Sequence, residues 1–158
     1  MPQHVTNLVF KSLVLPIFDY CDIVWCFTYE KHLKKLDILQ KRAARVITFS
    51  NINENTEELI RTLNWLPTRK RFELHTLCYI FKALNKLGSN VSSNYFEIVT
   101  KFSQRTGDSL KLKLPNIKTN FLVNTIFYKG INIYNDLSFD IRNSDKFDVF
   151  KRHVMNIL

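Results

Sequence analysis

The sequence has few of the residues that build tight loops, with only three Gly and four Pro among 158 residues. Glycine supplies the backbone freedom that phosphate-binding loops and tight hairpins need. The chain has no G-x-G-x-x-G fingerprint, no Walker-type lysine loop and no G-x-S-x-G nucleophile elbow. No feature therefore supports nucleotide binding or hydrolase chemistry, and we expect no cofactor. Hydrophobic residues make up 46% of the chain, which excludes a disordered tail and favours helices joined by polar loops.

Cysteines are also few. Cys21, Cys26 and Cys78 are an odd number and lie among apolar neighbours, which argues against a disulfide framework and favours a reducing compartment. Cys21 and Cys26 are five positions apart, about 140° around a helix, so they cannot bind one zinc ion together. We predict buried free thiols, no metal site and an intracellular location, either nuclear or cytoplasmic.

Long hydrophobic runs are absent. The apolar runs Leu13–Phe18 and Ile23–Phe27 are far shorter than the roughly 20 residues that span a bilayer. Lys11 interrupts the first apolar stretch, which is not the pattern of a signal peptide. We expect no membrane partner and a protein that is soluble or tethered to something larger.

No two aspartates are adjacent in the sequence. Polymerases and nucleases need paired carboxylates that hold two metal ions about 4 Å apart. Asp19 and Asp22 are three positions apart, and we interpret them as solvated helix residues or helix caps. The sequence therefore predicts no catalytic residue, and a chain that is not an enzyme by itself.

Positive charge is what the chain has in excess, with a formal net charge of +9. Residues 101–158 carry ten basic and five acidic groups, the largest imbalance of any third. Such a balance suggests a polyanionic partner, most often nucleic acid, because each phosphate contact releases counterions. The alternative is compositional: fifteen of the 23 basic residues are Lys, a residue that A/T-rich codons favour.

The hydrophobic pattern predicts a mainly all-α fold of about six helices in a single domain over residues 1–158. Pro16 should break the first apolar stretch into two helices. Asn55 and Glu58 resemble a capping box, and Gly88 should end the helix that starts at Pro67. The pattern also allows one short extended segment near 109–114. The predicted helices cover residues 4–14, 17–27, 30–48, 56–63, 67–87, 119–134 and 147–158, with a helical turn or two over 95–102 after a loop at 89–94.

Segment 30–48 has the clearest helical periodicity. Its apolar side chains fall on one face and its cations on the opposite face, with Gln40 and Ile38 as the exceptions. Cations along one face can follow a phosphate backbone without reading bases, although an ordinary solvated helix face stays an open alternative. The apolar set is Leu36, Leu39, Ala43, Val46 and Ile47, and the basic set is Lys31, Lys34, Lys35, Lys41, Arg42 and Arg45.

Segment 67–87 carries apolar residues over the widest arc, so we expect it to be the most buried helix. Its first turn contains Arg69-Lys70-Arg71, where cations oppose the helix dipole at a cost of about 0.3–1 kcal/mol each. This cost suggests that at least one of them has a partner, either a carboxylate or a phosphate. The first candidates for nucleic-acid binding are therefore Lys34, Lys41, Arg42 and Arg45. Arg69 and Arg71 are the second candidates.

Four blocks of the sequence are distinctive when taken together in order. They are Leu15-Pro16 with Asp19–Trp25; Leu33, Leu36, Gln40, Arg42–Arg45 and Ile47; Leu63, Trp65–Pro67, Arg71 and Phe81-Lys82; and Arg105-Thr106, Phe127, Gly130, Asn135, Leu137 and Phe150-Lys151. In this order they resemble the region after the polymerase domain of LINE-type, jockey-like non-LTR retrotransposon reverse transcriptases. The resemblance covers nearly the whole chain, and its first three blocks are specific. Tyr134 departs from it, because the family usually has Trp there.

The resemblance implies a helical region next to the thumb that supports the upstream polymerase domain and holds template RNA or target DNA electrostatically. The fingers and palm, with their metal-binding Asp pair, and the endonuclease lie upstream in that family. We therefore expect a non-catalytic C-terminal fragment of an RNA-directed DNA polymerase, from a truncated frame or a fragmentary gene model. The alternative is a helical packing or protein-interaction module from a decayed element, with charges that only keep it soluble.

Overall fold

The fold belongs to the predicted all-α class. A computed structural model describes residues 1–27, 29–88, 94–99, 110–117 and 119–158. Of these residues 66% are helical, and none forms a β-strand. The chain divides into two compact units, Met1–Phe72 and Glu73–Leu158. Within the described ranges, no helix is both long enough and apolar enough to cross a membrane.

The first unit is built from short helices around one long helix. Its elements are α1 (Gln3–Val9), the π-helical turn π1 (Phe10–Val14), α2 (Leu15–Asp19), α3 (Asp22–Trp25), α4 (Glu30–Thr48), α5 (Thr56–Thr62) and the start of α6 (Thr68–Leu84). The bounds of α4 are those that the periodicity predicts. The side chain of Asn55 accepts a hydrogen bond from the backbone N–H of Glu57 at 3.0 Å, which confirms Asn55 as the N-cap of α5.

The predicted break at Pro16 is wrong. Helical structure continues through it because π1 widens the preceding turn, and the N–H of Leu15 donates to the carbonyl of Phe10 five residues back. Pro16 then lies in the first turn of α2, where a backbone N–H is not needed. The chain turns at Cys21 instead, in a left-handed conformation with φ of 52°.

The core of the first unit forms where α1, α4 and α5 meet. Phe10 and Trp65 stack with ring centroids 4.3 Å apart, and the indole N–H of Trp65 donates to the side-chain oxygen of Asn7 at 2.9 Å. The buried residues of this cluster are Phe10, Ala44, Ile47, Ile60, Leu63 and Trp65. An aromatic stack and a satisfied indole therefore fix the first helix against the segment that precedes α6.

The second unit contains the rest of α6 and the C-terminal helices. These are α7 (Asn120–Val123), the π-helical turn π2 (Ile126–Gly130), α8 (Ile131–Asn135), α9 (Phe139–Arg142) and α10 (Phe147–Ile157). The predicted continuous helix over 119–134 is wrong, because the chain is extended at Thr125. The hydroxyl of Thr125 donates to the carbonyl of Leu122 at 2.7 Å, a local bond that competes with helix continuation.

Helix α6 is the most buried helix among the described residues, as predicted. Thr76, Leu77, Ile80 and Phe81 on it are each 1% exposed or less. The predicted end of this helix at Leu87, before Gly88, is wrong by three residues. Helix α6 ends at Leu84, because Lys86 takes the left-handed conformation with φ of 55° and closes the last turn before the glycine.

One extended contact joins residues 94–99 to residues 110–117. Ile98 and Leu112 form a single antiparallel bridge, and the side chain of Asn135 bonds both the N–H and the carbonyl of Leu112, at 2.8 and 2.9 Å. This agrees with the predicted extended segment near 109–114 as far as the structure describes it. The predicted loop at 89–94 lies outside the described residues except for Asn94. The predicted helical turn over 95–102 is wrong where the structure describes it, over residues 95–99, because Ile98 pairs with Leu112 and the N–H of Val99 donates to the carbonyl of Lys111 at 2.9 Å.

Candidate nucleic-acid interface

The sequence predicts the position of α4 but not which side of it is buried. Gln40, Ala44 and Ile47 are buried, whereas Leu39 and Val46, which the periodicity assigns to the core, are 46% and 67% exposed. The buried line is therefore rotated by about 70° around the helix axis from the predicted apolar face. The predicted apolar face is wrong for these two residues, since the core of the unit contacts the helix beside them.

Gln40 explains the rotation. Its side-chain NH₂ donates to the carbonyl of Leu66 at 2.9 Å, and its side-chain oxygen accepts from the backbone N–H and the hydroxyl of Thr68 at 2.9 and 2.8 Å. Gln40 and Thr68 are both buried, so these bonds satisfy polar groups that water cannot reach. Helix α4 turns this polar side chain inward because three hydrogen bonds offset the cost of burying it.

The rotation leaves the candidate cations of α4 on the outer side of the helix. Lys34 and Arg42 are exposed, and Lys41 and Arg45 are partly exposed. In the parts of the chain that the structure describes, none of the four takes part in an ion pair. The Nε atom of Arg45 is enclosed and has no acceptor there. We call Lys34, Lys41, Arg42 and Arg45 the basic stripe.

Arg69 has a different environment. Its guanidinium contacts Glu30 at 2.6 Å and Asp37 at 3.0 Å, both on α4. Hydrogen bonds to the two carboxylates raise its pKa further above the ordinary arginine range. The cost of a cation in the first turn of α6 is thus offset by two acids on a neighbouring helix. The predicted partner of the Arg69–Arg71 cluster is a carboxylate in this case.

Arg71 is also paired, and it is buried. Its Nε donates to Asp19 at 2.7 Å, its guanidinium carbon lies 5.8 Å from the ring centroid of Phe72, and only 7% of the residue is exposed. A phosphate could reach it only if the pair with Asp19 opened. Arg69 and Arg71 stay predictions of the sequence as nucleic-acid contacts, and the surface proposed below does not use them.

Two further sequence interpretations are wrong in this unit. Asp22 is not solvated, since it is buried and accepts from the backbone N–H of Ile23 at 2.8 Å, whereas Asp19 is a partly exposed helix residue that pairs with Arg71. The thiols are all free, but only Cys26 is buried, since Cys21 is exposed. Cys21 lies at the left-handed turn that precedes α3.

Sequence analysis placed Ile38 among the cations of α4, but it missed the exposed phenylalanine that follows this helix. Ile38 is 49% exposed, and Phe49, which follows the last residue of the helix, is 72% exposed. The spacing contains the signal for Ile38, because positions 38 and 45 are seven residues apart and share one row of a helix. The basic stripe therefore includes hydrophobic neighbours along its length.

Comparison of the chain with models of known protein families, with curated proteins and with solved structures finds no match.

Proposed function

We propose that this chain is a non-catalytic C-terminal part of a LINE-type RNA-directed DNA polymerase that holds nucleic acid through the basic stripe. The observation that carries the proposal is the contrast between two sets of cations. Arg69 and Arg71 are each paired with carboxylates, whereas the stripe has no ion pair among the described residues. Cations left without internal partners are available for an external polyanion.

The geometry of the stripe suits a phosphate backbone. From Lys34 to Arg45 it follows α4 for about 17 Å, at 1.5 Å per residue. This is the length of about five nucleotides along one strand of B-form DNA. Because cations that contact phosphates position a strand but read no base, we expect little sequence preference.

The sequence resemblance supplies the rest of the proposal. In relatives of the kind it suggests, the upstream polymerase domain would be the protein partner, and the bound strand would be template RNA or target DNA. The described residues of α4 fit such a supporting role, because one side of the helix is committed to the core and the other carries charge. We propose no membrane partner, no cofactor and no bound metal.

Salt-dependent binding tests the proposal directly. Fluorescence anisotropy with labelled RNA and DNA should show an affinity that falls steeply with salt. Replacing Lys34, Lys41 and Arg45 by Gln should weaken binding equally for unrelated sequences, and each lost contact should flatten the slope of log affinity against log salt by roughly 0.7 to 0.9. Stability should change little, because exposed charges contribute about 0–1 kcal/mol each.

A matched control separates the stripe from net charge. Replacing Lys11, Arg61 and Lys146 by Gln also removes two lysines and one arginine, but from exposed positions outside the basic stripe. This control should retain most of the affinity and most of the salt slope. Equal losses of affinity in the two triple variants would mean that the interaction depends on net charge alone. Unchanged affinity in the stripe variant would contradict the proposal.

The second candidate function is a protein-interaction module. The exposed apolar side chains Ile38, Leu39 and Val46 on α4 favour it, because such residues on one helix can receive another apolar helix. The two functions differ in salt dependence. A protein that binds neither RNA nor DNA at low salt would leave the interaction module as the better proposal.

The absence of polymerase activity is part of the same proposal. The purified chain should not extend a primed RNA template in the presence of magnesium and deoxynucleotides, because polymerases act through paired carboxylates on two metal ions. Primer extension that survives repurification would contradict it.

A further inference from the structure

Phe49 ends α4 in a conformation that an aromatic residue rarely adopts. Its backbone is left-handed, with φ of 55° and ψ of 31°, and its N–H donates to the carbonyl of Arg45. The N–H of Ser50 bonds the same carbonyl at 3.1 Å. Glycine or asparagine is usual at such a helix end, since other side chains are strained there. The turn itself therefore does not explain why a phenylalanine stands at this position.

Core packing does not explain it either, because Phe49 is 72% exposed. A large aromatic ring is held out in water on a strained backbone. Strained backbone in a native structure is found most often at functional sites, where the strain serves a contact. This exposure together with the conformation indicates a surface ligand.

The position of Phe49 identifies the kind of ligand. Phe49 directly follows the last residue of α4, on which Ile38 and Arg45 share one row, with Lys34 and Lys41 within about 60° of it. The ring thus stands at the C-terminal end of the basic stripe, four residues from Arg45. A negatively charged chain bound along the stripe would reach the ring with whatever group follows its last phosphate.

We infer that Phe49 stacks on an unpaired base, so that the basic stripe takes single-stranded rather than duplex nucleic acid. Proteins that bind single strands combine cations along the backbone with aromatic rings on which bases stack. Bases inside a duplex already stack on each other and cannot reach such a ring. This inference rests on the proposed function and adds to it the class of strand.

The test compares four proteins on two probes of one sequence, a single-stranded oligonucleotide and its duplex. Phe49→Gly removes the ring and suits the left-handed backbone. Phe49→Trp keeps a stacking ring. Tyr29→Gly is the matched control, because Tyr29 is 73% exposed and lies at the other end of α4, directly before its first residue.

Phe49→Gly should bind the single strand about fivefold or more weakly than the wild type, the lower end of the effect of losing one base–aromatic stack. Its affinity for duplex and its salt slope should not change, because no phosphate contact is lost. Phe49→Trp and Tyr29→Gly should bind the single strand as the wild type does. Tryptophan fluorescence of Phe49→Trp should be quenched by the single strand more than by the duplex.

The failures are distinguishable. The stacking inference is wrong if Phe49→Gly binds the single strand as the wild type does, or if it loses affinity for both probes equally. In either case the proposal for the basic stripe stands. If the wild type binds neither probe, the proposed function is wrong and the inference is overturned with it. That last outcome would assign the exposed side of α4 to a protein partner.

Discussion

The side-chain oxygen of Gln40 accepts two hydrogen bonds from Thr68, one from its backbone N–H at 2.9 Å and one from its hydroxyl at 2.8 Å. The two residues are 28 positions apart, and both are buried. The amide of Gln40 also donates to the carbonyl of Leu66. One side chain thus provides hydrogen bonds to the first residue of α6 and to the segment before it, and it fixes where that helix begins relative to α4.

Gln40→Leu should destabilise the protein by about 3 kcal/mol. The change leaves the N–H and hydroxyl of Thr68 and the carbonyl of Leu66 without partners, and each unsatisfied buried group costs about 1–3 kcal/mol, partly relieved by relaxation. Urea denaturation followed by tryptophan fluorescence measures the loss. Gln3→Leu, at an exposed position on α1, is the control and should change the stability by less than about 0.5 kcal/mol.

The same residue shows what sequence periodicity can and cannot predict. The bounds of α4 follow from its regular apolar and charged spacing, and the structure confirms them. The buried side does not follow, because the partners of Gln40 are 26 and 28 residues away and no local pattern encodes them. The exposure of Leu39 and Val46 is a consequence of that long-range bonding.

A local rule failed at the first helix, and another predicted only part of the outcome at the candidate site. Pro16 predicts a break, but the helical structure continues because the preceding turn is π-helical and Pro16 lies where a backbone N–H is not needed. The Arg69–Arg71 cluster predicts a partner, and the partners are carboxylates distant in sequence. Charge patterning therefore locates cations on helices, but it cannot tell a paired arginine from an available one.

Asp substitutions in α6 should unfold the protein. Ile80 is fully buried and Phe72 is 3% exposed, so Ile80→Asp or Phe72→Asp would put an unpaired charge into a core. We expect the loss of the cooperative thermal transition and of most helical circular dichroism. Leu87→Asp is the control, because Leu87 lies beyond the end of α6 and is exposed. Wild-type melting of either core variant would contradict the assignment of α6 to the core.

Arg71→Gln should lower stability without lowering nucleic-acid affinity. The change removes the ion pair with Asp19 and leaves a partly buried carboxylate uncompensated, for which we expect a loss of about 2–3 kcal/mol. Lys34→Gln on the basic stripe should give the opposite result, with weaker binding and unchanged stability. Chemical denaturation and anisotropy on the two variants measure both effects. Weaker binding by folded Arg71→Gln would indicate that Arg71 contacts nucleic acid.

Tyr134 should make the protein less stable at high pH. Burial raises the pKa of its hydroxyl to about 12, although the charge of Arg142 opposes the shift. Because the unfolded chain releases this proton near pH 10, the stabilising contribution is complete below pH 10 and is lost as the pH rises towards 12. The two pKa values imply about 2–3 kcal/mol in all. Unfolding at several pH values, compared between the wild type and Tyr134→Phe, should show this loss only in the wild type.

Phe49→Gly should raise the stability of the protein, because it relieves the strain of a left-handed backbone. The left-handed conformation costs a residue with a Cβ atom about 1–2 kcal/mol more than it costs glycine, and the greater flexibility of glycine in the unfolded chain offsets part of that gain. We therefore expect a net increase of up to about 1 kcal/mol, measured as a higher denaturation midpoint with an unchanged slope against urea. Phe49→Ala is the control, since it removes the ring but keeps the strain, and it should give no such gain. If Phe49→Gly gains stability and loses affinity for the single strand, Phe49 serves binding at the expense of folding. A loss of stability would instead mean that the ring packs against the fold and that the exposed side of α4 has a structural role.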